Sequence, residues 1–266
     1  MSLTPSVVGT LQYNFLRWLS PKEPNVCTGQ AWAGRSKLDL LGTSLDVAGK
    51  TVIDFGCGKG YECIELAQRG AGKVIGIDIR PELLQHARKL ARHRGVSKRC
   101  EFAPATQEQA DLVISLDAFE HFANPDEILV IMSRLLKSSG SIRASFGPTW
   151  FHPLGGHLFS VFPWAHLILS EDALIRWRSD FKDDGATRFS EVAGGLNQMT
   201  IRRFEETVKQ SPMQLKWLEC VPIRKLRPFH NPFTREFTTS IVRCELVPKR
   251  LHRAERPSEQ PEAKAA

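Results

Sequence analysis

One acid and three glycines at alternate positions form the most distinctive chemical pattern of this sequence. The string TVIDFGCGKG at residues 51–60 contains Asp54, Gly56, Gly58 and Gly60. Because glycine has no Cβ, the backbone at such positions can approach a bound ligand closely. The spacing differs from the Gly-x-Gly-x-x-Gly pattern, which presents a helix N-terminus to a pyrophosphate. An acid before the glycines instead favours a ligand that carries positive charge.

The elements around this pattern are predicted to be a strand, a glycine turn, a helix and a second strand. Val52 and Ile53 are apolar and β-branched, which is typical of a buried strand. After the turn, the string GYECIELAQRG places apolar residues at helical spacing. The next apolar string, KVIGID, ends in Asp78, about 20 residues past the glycines, where an acid can hold the hydroxyls of a ribose. This order predicts an α/β fold that binds a nucleotide-like ligand.

Together these residues resemble motif I and the second-strand acid of the class I S-adenosylmethionine (SAM) methyltransferases. The resemblance implies a Rossmann-like, seven-stranded, mostly parallel sheet flanked by helices, with an insertion after the fifth strand. It also implies SAM as the cofactor, since SAM carries a sulfonium and an ammonium but no phosphate. A nicotinamide-dependent enzyme and an empty Rossmann-like core are the alternatives. The residues expected to contact the cofactor are Asp54, Gly56, Cys57, Gly58, Gly60, Asp78, Ile79, Leu116 and Asp117.

A second resemblance lies in the string DLVISLDAFEHFANPDEIL at residues 111–129. It is similar to the fourth-strand region of the small-molecule methyltransferases that include ubiquinone and menaquinone biosynthesis enzymes. Ligands of open α/β sheets bind at the carboxyl ends of the strands, so Leu116–His121 should line the pocket. Glu120 or His121 can then act as a base near neutral pH. In the alternative interpretation, both side chains only fix the local turn by hydrogen bonds.

Two features depart from the pattern of that family. The segment after the third strand, 104–107, lacks the acid that binds adenine in many relatives. The adenine contact should therefore come from the backbone, Thr106 or Gln107. The helix after the fourth strand is predicted to begin with Asn124 as its capping residue and to stop at Gly140, where relatives end it in Leu-Lys-Pro-Gly-Gly.

The string GPTWFHPLGGHLFSVFPWAHLIL at residues 147–169 is rich in aromatic residues and histidines. The superfamily that the sequence resembles commonly holds substrate-recognition elements at this place. An apolar or aromatic acceptor with an ionisable group is therefore predicted, and the candidate catalytic bases are His121, His152 and His157. No metal site is predicted, because no carboxylate or cysteine stands at ligand spacing from His152 and His157. The alternatives are a hydrophobic lid and a dimer surface, through which the chain would form a homo-oligomer.

The composition bears on compartment and partners. The chain has 266 residues, a formal net charge of +7 and six cysteines, none in a Cys-x-x-Cys pair. This pattern favours reduced thiols in a cytoplasmic protein. The sequence predicts neither a signal peptide nor a membrane-spanning run. Because the basic residues are spread out, a nucleic-acid partner is not expected.

The chain is predicted to divide into three parts. The N-terminal part contains a helix near Val7–Leu19 and is expected to cover the cofactor. Trp32 and Arg35 there either contact the substrate or the SAM carboxylate, or serve as a core residue and a surface charge. The parts are an N-terminal segment (1–48), the methyltransferase domain (49–248, with the aromatic insertion at 147–197) and a disordered tail (249–266).

Three functions fit these patterns. The leading one is a SAM-dependent methyltransferase that acts on an oxygen, nitrogen or carbon atom of a small apolar or aromatic metabolite. The second is a nucleic-acid or protein methyltransferase, favoured by the basic loop 224–235. Against it, the Asn/Asp-Pro-Pro-Tyr/Phe motif of amino-methylating nucleic-acid enzymes is absent, since Leu116–Phe119 stands in its place. The third is a catalytically silent SAM-binding partner subunit, favoured by the missing acid after the third strand.

Overall fold

A single twisted sheet forms the centre of the structure, a computed structural model that describes residues 7–20, 22, 36–42, 45–192 and 194–249. The sheet has seven strands in the order β3-β2-β1-β4-β5-β7-β6. Only β7 runs antiparallel to its neighbours, so the predicted mostly parallel sheet is confirmed. The strands are β1 (Thr51–Phe55), β2 (Lys73–Ile77), β3 (Cys100–Ala103), β4 (Ala110–Leu116), β5 (Leu136–Phe146), β6 (Met213–Pro222) and β7 (Thr239–Pro248).

The helices follow the apolar spacings of the sequence. Thr200 caps the helix after the insertion, since its side chain accepts a hydrogen bond from the Arg203 backbone N–H. Short 3₁₀ turns at Lys37–Leu41, Phe119–His121 and His157–Phe159 lie between the regular elements. The helices are α1 (Val7–Leu19), α2 (Tyr61–Gln68), α3 (Pro81–His93), α4 (Pro125–Arg134), α5 (Ala165–Ile168), α6 (Glu171–Arg178), α7 (Ile201–Gln210) and α8 (Arg235–Thr238).

The predicted start of α4 at Asn124 is confirmed, whereas its predicted end needs correction. Asn124 occupies the capping position, but its side chain donates to the Glu127 carboxylate instead of accepting from the helix. The helix ends at Arg134 and not at Gly140, because the chain already joins the sheet at Leu136, which pairs with Ala110 of β4. Strand pairing with β4 therefore overrides the local helical pattern.

Helices cover both faces of the sheet, because alternate residues of a strand point to opposite sides. On one face, Val52 of β1 lies in a core with residues of α2 and α3. On the other face, Ile53 lies in a core with residues of α4 and α7, including Phe204. The strands are thus buried on both sides, as a parallel sheet requires. Their carboxyl ends remain at one edge, where the candidate site lies.

The aromatic insertion forms a third core together with α1. Tyr13 and Leu16 of α1 pack with Phe159, Trp177 and Phe189 of the segment that follows β5. Much of the aromatic content of the insertion is therefore buried within this chain. The apolar residues grouped on the other side of α1 are exposed instead: Val7, Val8, Leu11, Phe15, Trp18 and Leu19. Association of copies through the insertion stays a prediction.

Replacing Trp177 with alanine should lower the free energy of unfolding by about 3–5 kcal/mol, the usual cost of removing a large buried ring. Trp177 is 0% exposed, and its Nε1 donates to the Ser20 carbonyl at 2.9 Å. Trp18, which is 76% exposed, provides the matched control, and Trp18→Ala should change stability by less than about 0.5 kcal/mol. Urea-induced unfolding measures both. Equal losses would contradict a packed core between the insertion and α1.

Candidate cofactor and acceptor site

The glycine turn after β1 is tied to the end of β2. The backbone N–H groups of Gly56 and Cys57 both donate to the Ile77 carbonyl, at 2.8 and 2.9 Å. Gly58 and Gly60 have φ angles of +51° and +77°, in the left-handed region that favours glycine. A Cβ on Gly58 would meet nothing within 4 Å, whereas one on Gly60 would lie 2.6 Å from the Ala87 Cβ. Gly58 therefore opens toward a ligand, and Gly60 permits close packing against α3.

Two buried acids flank this turn. Asp54 is 2% exposed, and its Oδ2 accepts a hydrogen bond from the Cys63 thiol at 3.2 Å. Burial, helped by the nearby Glu62 carboxylate, raises the pKa of Asp54 to about 7. Asp78 accepts from the Gly58 N–H at 3.0 Å and from the Arg80 guanidinium at 3.0 and 3.1 Å. Burial acts to raise the pKa of Asp78, but the hydrogen bonds from Arg80 outweigh it and hold that pKa below its usual value.

No pattern in the sequence indicates a lysine at this edge of the sheet. Lys37 reaches over it from the 3₁₀ turn before β1, and its Nζ lies 3.0 Å from the Asp117 Oδ2. Asp117 has a φ of +49°, which is uncommon for a residue other than glycine. Burial acts to lower the pKa of Lys37, but the Asp117 carboxylate outweighs this and the pKa is raised. The ammonium is thus a fixed positive charge among several acids.

The other predicted cofactor residues differ in their exposure and in whether the side chain or the main chain can reach a ligand. Ile79 follows the second acid and is 87% exposed, so an apolar side chain is available there. Leu116 ends β4 and is buried. The Cys57 thiol is turned toward the core, since a Cβ on Gly76 would meet its sulfur at 2.9 Å. Only the Cys57 main chain can therefore face a ligand.

Of four further predicted residues, the structure describes two. Trp32 and Arg35 lie outside the described residues. Thr106 is half-buried, its hydroxyl accepts from the Glu108 N–H, and Gln107 is exposed. The adenine contact therefore stays a prediction. The predicted tail also lies outside the described residues, apart from Lys249.

On the acceptor side, the turn after β4 carries a buried carboxyl group. Glu120 is 2% exposed, and its Oε1 accepts from the Gly147 N–H at 3.1 Å. Its Oε2 has no hydrogen-bond partner among the described residues. Burial, with a smaller contribution from Asp117, raises the pKa of Glu120 to about 8. An unpartnered oxygen at such depth is costly unless a ligand completes it.

Two of the three predicted histidines join this carboxyl group. The rings of His121 and His157 lie 5.1 Å apart, and their nitrogens and the Glu120 carboxylate lie within 4.8 Å of one another. Burial and the neighbouring His121 lower the pKa of His157 to about 4, so this ring is neutral at pH 7. His152 lies outside the group, and its Nδ1 accepts from the Leu154 N–H at 2.9 Å. The fold thus places a carboxylate next to His157, which the spacing in the sequence does not reveal, and the predicted absence of a metal stays a prediction.

Asn197 holds this turn in place, a role that the sequence analysis missed. Its side-chain Nδ2 donates to the carbonyls of Phe119 and Phe122, both at 2.7 Å. Its backbone N–H donates to the Glu120 carbonyl at 3.0 Å. Nothing in the local sequence marks this residue, because its partners lie on the far side of the insertion. The end of the loop after α6 is thus fastened to the turn after β4.

A cavity of about 480 Å³ opens in front of this group. Its size falls in the range of small-molecule pockets. Apolar and charged side chains share its wall, which would suit a ligand with an apolar body and a polar group. Its lining includes His121, His157, Phe159, Arg178, Lys182 and Leu196.

The residues at the sheet edge fit the cofactor that the sequence implies. The open space at Gly58 accommodates a close ligand. Asp78 accepts from the glycine turn and Asp54 from the Cys63 thiol of the helix that follows it, and a negative site suits a sulfonium and an ammonium. With the strand order 3-2-1-4-5-7-6, this arrangement defines the class I SAM-dependent methyltransferase fold.

Comparison with known proteins agrees with this fold assignment. Residues 46–148 match a family model described as a methyltransferase domain. The ribosomal protein L11 methyltransferase of Vibrio campbellii is 43% identical over 107 residues, 38% of this chain and 35% of that protein. A putative SAM-dependent methyltransferase from Listeria monocytogenes superposes with a TM-score of 0.52 at 18% identity, over 80% of this chain and 97% of that chain. A SAM-dependent methyltransferase from Mesorhizobium loti superposes with a TM-score of 0.53 at 16% identity, over 79% of this chain and 95% of that chain. These two structures show the fold alone.

Residues 46–148 therefore match a methyltransferase domain, and the sheet around them has the class I methyltransferase fold. This match agrees with the methyltransferase domain that the sequence predicted, whereas the activity of the whole chain and its SAM cofactor stay predictions. The resemblance to the ubiquinone and menaquinone group stays a prediction. The chain spans about a third of the length of the curated relatives that it matches (35%), and the family model ends at residue 148, where the insertion begins. Among the described residues, no helix is long and apolar enough to cross a membrane.

Proposed function

We propose that this chain transfers a methyl group from SAM to an oxygen, nitrogen or carbon atom of a small apolar or aromatic molecule. The observation that carries the proposal is the cavity of about 480 Å³, which is lined by His121 and His157 next to the cofactor edge. The enclosing elements are the aromatic insertion and the loop after α6. We place the reaction in the cytoplasm, as the sequence analysis predicted.

We assign the cofactor contacts as follows. Asp78 would bind the ribose hydroxyls, and Gly58 would allow the close approach of the backbone. Ile79, with its exposed apolar side chain, would pack against the adenine. Lys37 would bind the SAM carboxylate, a contact that the sequence offers as one of two alternatives for Trp32 and Arg35. The other proposed cofactor contacts are Asp54, Gly56, Cys57, Gly60, Leu116 and Asp117.

When bound, SAM supplies an activated methyl group for an in-line displacement, so the protein mainly aligns the acceptor and receives its proton. His157 is neutral at pH 7 and can accept that proton, as can His121. His152 stays a candidate from the sequence alone. The cavity wall carries charges of both signs, since Arg178 pairs with Asp184 at 2.6 Å and Lys182 and Asp183 lie beside them.

A protein acceptor is the second candidate function. It is favoured by relatives named ribosomal protein L11 methyltransferase, which are 39–43% identical. That likeness covers 38% of this chain and so leaves most of the acceptor side unmatched. A nucleic-acid acceptor is favoured by the basic loop 224–235, which includes the 3₁₀ turn Arg224–Phe229.

The test is a screen with methyl-labelled SAM against three acceptor pools: small phenols, amines and enols; ribosomal proteins; and RNA. We expect label in the small-molecule pool only. Label in the protein pool would replace the proposed acceptor class. SAM binding without transfer to any pool would favour the silent-subunit alternative.

SAM binding should weaken as the pH falls below 7. Asp54, whose pKa burial raises to about 7, is mostly protonated at pH 6 and must ionise again to attract a cation. Affinity should therefore fall by up to about tenfold per pH unit below 7. Calorimetric titration at pH 5.5–8 measures the profile.

Asp54→Asn serves as the control, because it cannot ionise and should flatten the SAM profile. The folding stability of the unliganded chain should show the opposite sign. A raised folded-state pKa contributes stability that is fully present below the unfolded pKa and is lost as pH rises through about 7. A sloping SAM profile in Asp54→Asn would assign the titration to another group.

A further inference from the structure

The group formed by Glu120, His121 and His157 has the composition of a metal site. We propose that these three side chains bind one divalent first-row transition-metal ion, with Zn²⁺ as the probe, at the wall of the acceptor cavity. Two imidazoles and one carboxylate are a ligand set found in catalytic zinc and iron sites. Their ligand atoms lie within 4.8 Å of one another. The proposed binding of the ion is independent of the function proposed above, whereas the role that we give to the bound ion rests on the proposed methyl transfer.

The first independent observation is the free carboxylate oxygen. Glu120 is 2% exposed, and Gly147 satisfies only its Oε1. The Oε2 lacks a partner among the described residues, and an oxygen of the same carboxylate lies within 4.8 Å of a ring nitrogen of each histidine. Buried polar atoms in native proteins are almost always paired. A cation between the three side chains would satisfy this oxygen.

The second observation is the orientation of His121. Its Nδ1 lies 2.8 Å from the Gly195 carbonyl, and a carbonyl can only accept, so Nδ1 carries the hydrogen. The lone pair is then on Nε2. Histidines that bind metals characteristically donate their other N–H to a carbonyl or carboxylate in this way. The loop that supplies Gly195 also supplies Asn197, which holds the Glu120–His121 turn.

The third ligand comes from the insertion. His157 has a φ of +52°, which is uncommon for histidine and is often found at functional sites. Zinc ligands at bond lengths of about 2.0–2.1 Å in a tetrahedron lie about 3.3 Å apart. The present spacing of up to 4.8 Å therefore requires the side chains to rotate inward when an ion binds.

Three protein ligands leave a fourth position open, as in catalytic metal sites. His121 and His157 line the cavity, so that position would face the acceptor. An acceptor hydroxyl bound there would lose its proton to water more easily. Its oxygen would then form the new C–O bond as the C–S bond to the methyl group breaks, and S-adenosylhomocysteine would leave. The inference thus narrows the acceptor to a molecule with a hydroxyl group.

The experiment uses the untagged full chain, stripped with EDTA and titrated with Zn²⁺ by calorimetry. We expect one ion per chain. Glu120→Gln and His157→Gln should each weaken binding at least about 100-fold, because each removes a ligand. Asn197→Ala, which only loosens the turn, should weaken it about tenfold. His93→Gln, on the exposed face of α3, is the matched control and should bind as the wild type.

Each sample is also titrated with SAM, and its thermal unfolding midpoint is recorded. Absence of Zn²⁺ binding, or equal binding by the wild type and a folded Glu120→Gln or His157→Gln variant, would overturn the metal site and leave the histidines as bases. SAM binding separates this outcome from the function proposed above. A chain that binds SAM without Zn²⁺ contradicts the metal site alone. A chain that binds Zn²⁺ without SAM contradicts the methyltransferase function alone.

Discussion

Replacing Gly58 with alanine should weaken SAM binding roughly 10- to 100-fold and leave the chain folded, whereas Gly60→Ala should mainly unfold it. A new Cβ at Gly58 meets no protein atom within 4 Å, so it extends into the space that we assign to the cofactor. One at Gly60 would lie 2.6 Å from the Ala87 Cβ and 2.9 Å from the Phe102 ring. Overpacking and left-handed strain together cost about 3 kcal/mol or more.

Gly49→Ala is the control for backbone strain in this pair. Gly49 has a φ of +69°, and a Cβ there meets nothing within 4 Å, yet it lies before β1 and away from the glycine turn. The Gly49→Ala variant should have a free energy of unfolding about 1–2 kcal/mol lower than the wild type, and its affinity for SAM should be unchanged. Thermal unfolding and calorimetric titration with SAM separate the three variants. A stable Gly60→Ala chain with weak SAM binding would show that both glycines face the cofactor.

The cofactor half of the site could be predicted because its parts are local in sequence. The glycine turn and Asp78 belong to one strand–helix–strand unit, whose geometry follows from hydrophobic periodicity and short connections. Sheet topology then brings the end of β4 to the same edge. Lys37 escaped prediction because its partner, Asp117, lies 80 residues away and a lone lysine carries no pattern.

The acceptor half could not be predicted in the same way. His157 and Glu120 meet because the insertion folds back on the sheet edge, and no periodic signal specifies that path. Asn197 acts through hydrogen bonds to the Phe119 and Phe122 carbonyls, which any residue type would supply. The end of α4 was misplaced for a related reason, since pairing of Leu136 with β4 is a tertiary contact.

Asp78→Ala should weaken SAM binding at least about 100-fold. A buried carboxylate that holds the ribose hydroxyls by charge-assisted hydrogen bonds contributes about 1.5–3 kcal/mol for each bond. In the structure this carboxylate pairs with Arg80, whose side chain is 54% exposed. Arg80→Ala removes that competing partner and keeps the acid, so it should change SAM affinity by less than about threefold.

Titration with S-adenosylhomocysteine distinguishes the role of Asp78 from the role of Asp54 in cofactor binding. It shares the ribose of SAM, so Asp78→Ala should weaken both ligands equally. It lacks the sulfonium charge, so Asp54→Asn should weaken SAM more than S-adenosylhomocysteine. If Arg80→Ala lost as much affinity as Asp78→Ala, the carboxylate would act by holding Arg80 and the glycine turn. The ribose would then need another partner at this edge, and the Gly58 N–H, which Asp78 now occupies at 3.0 Å, would be the first to examine.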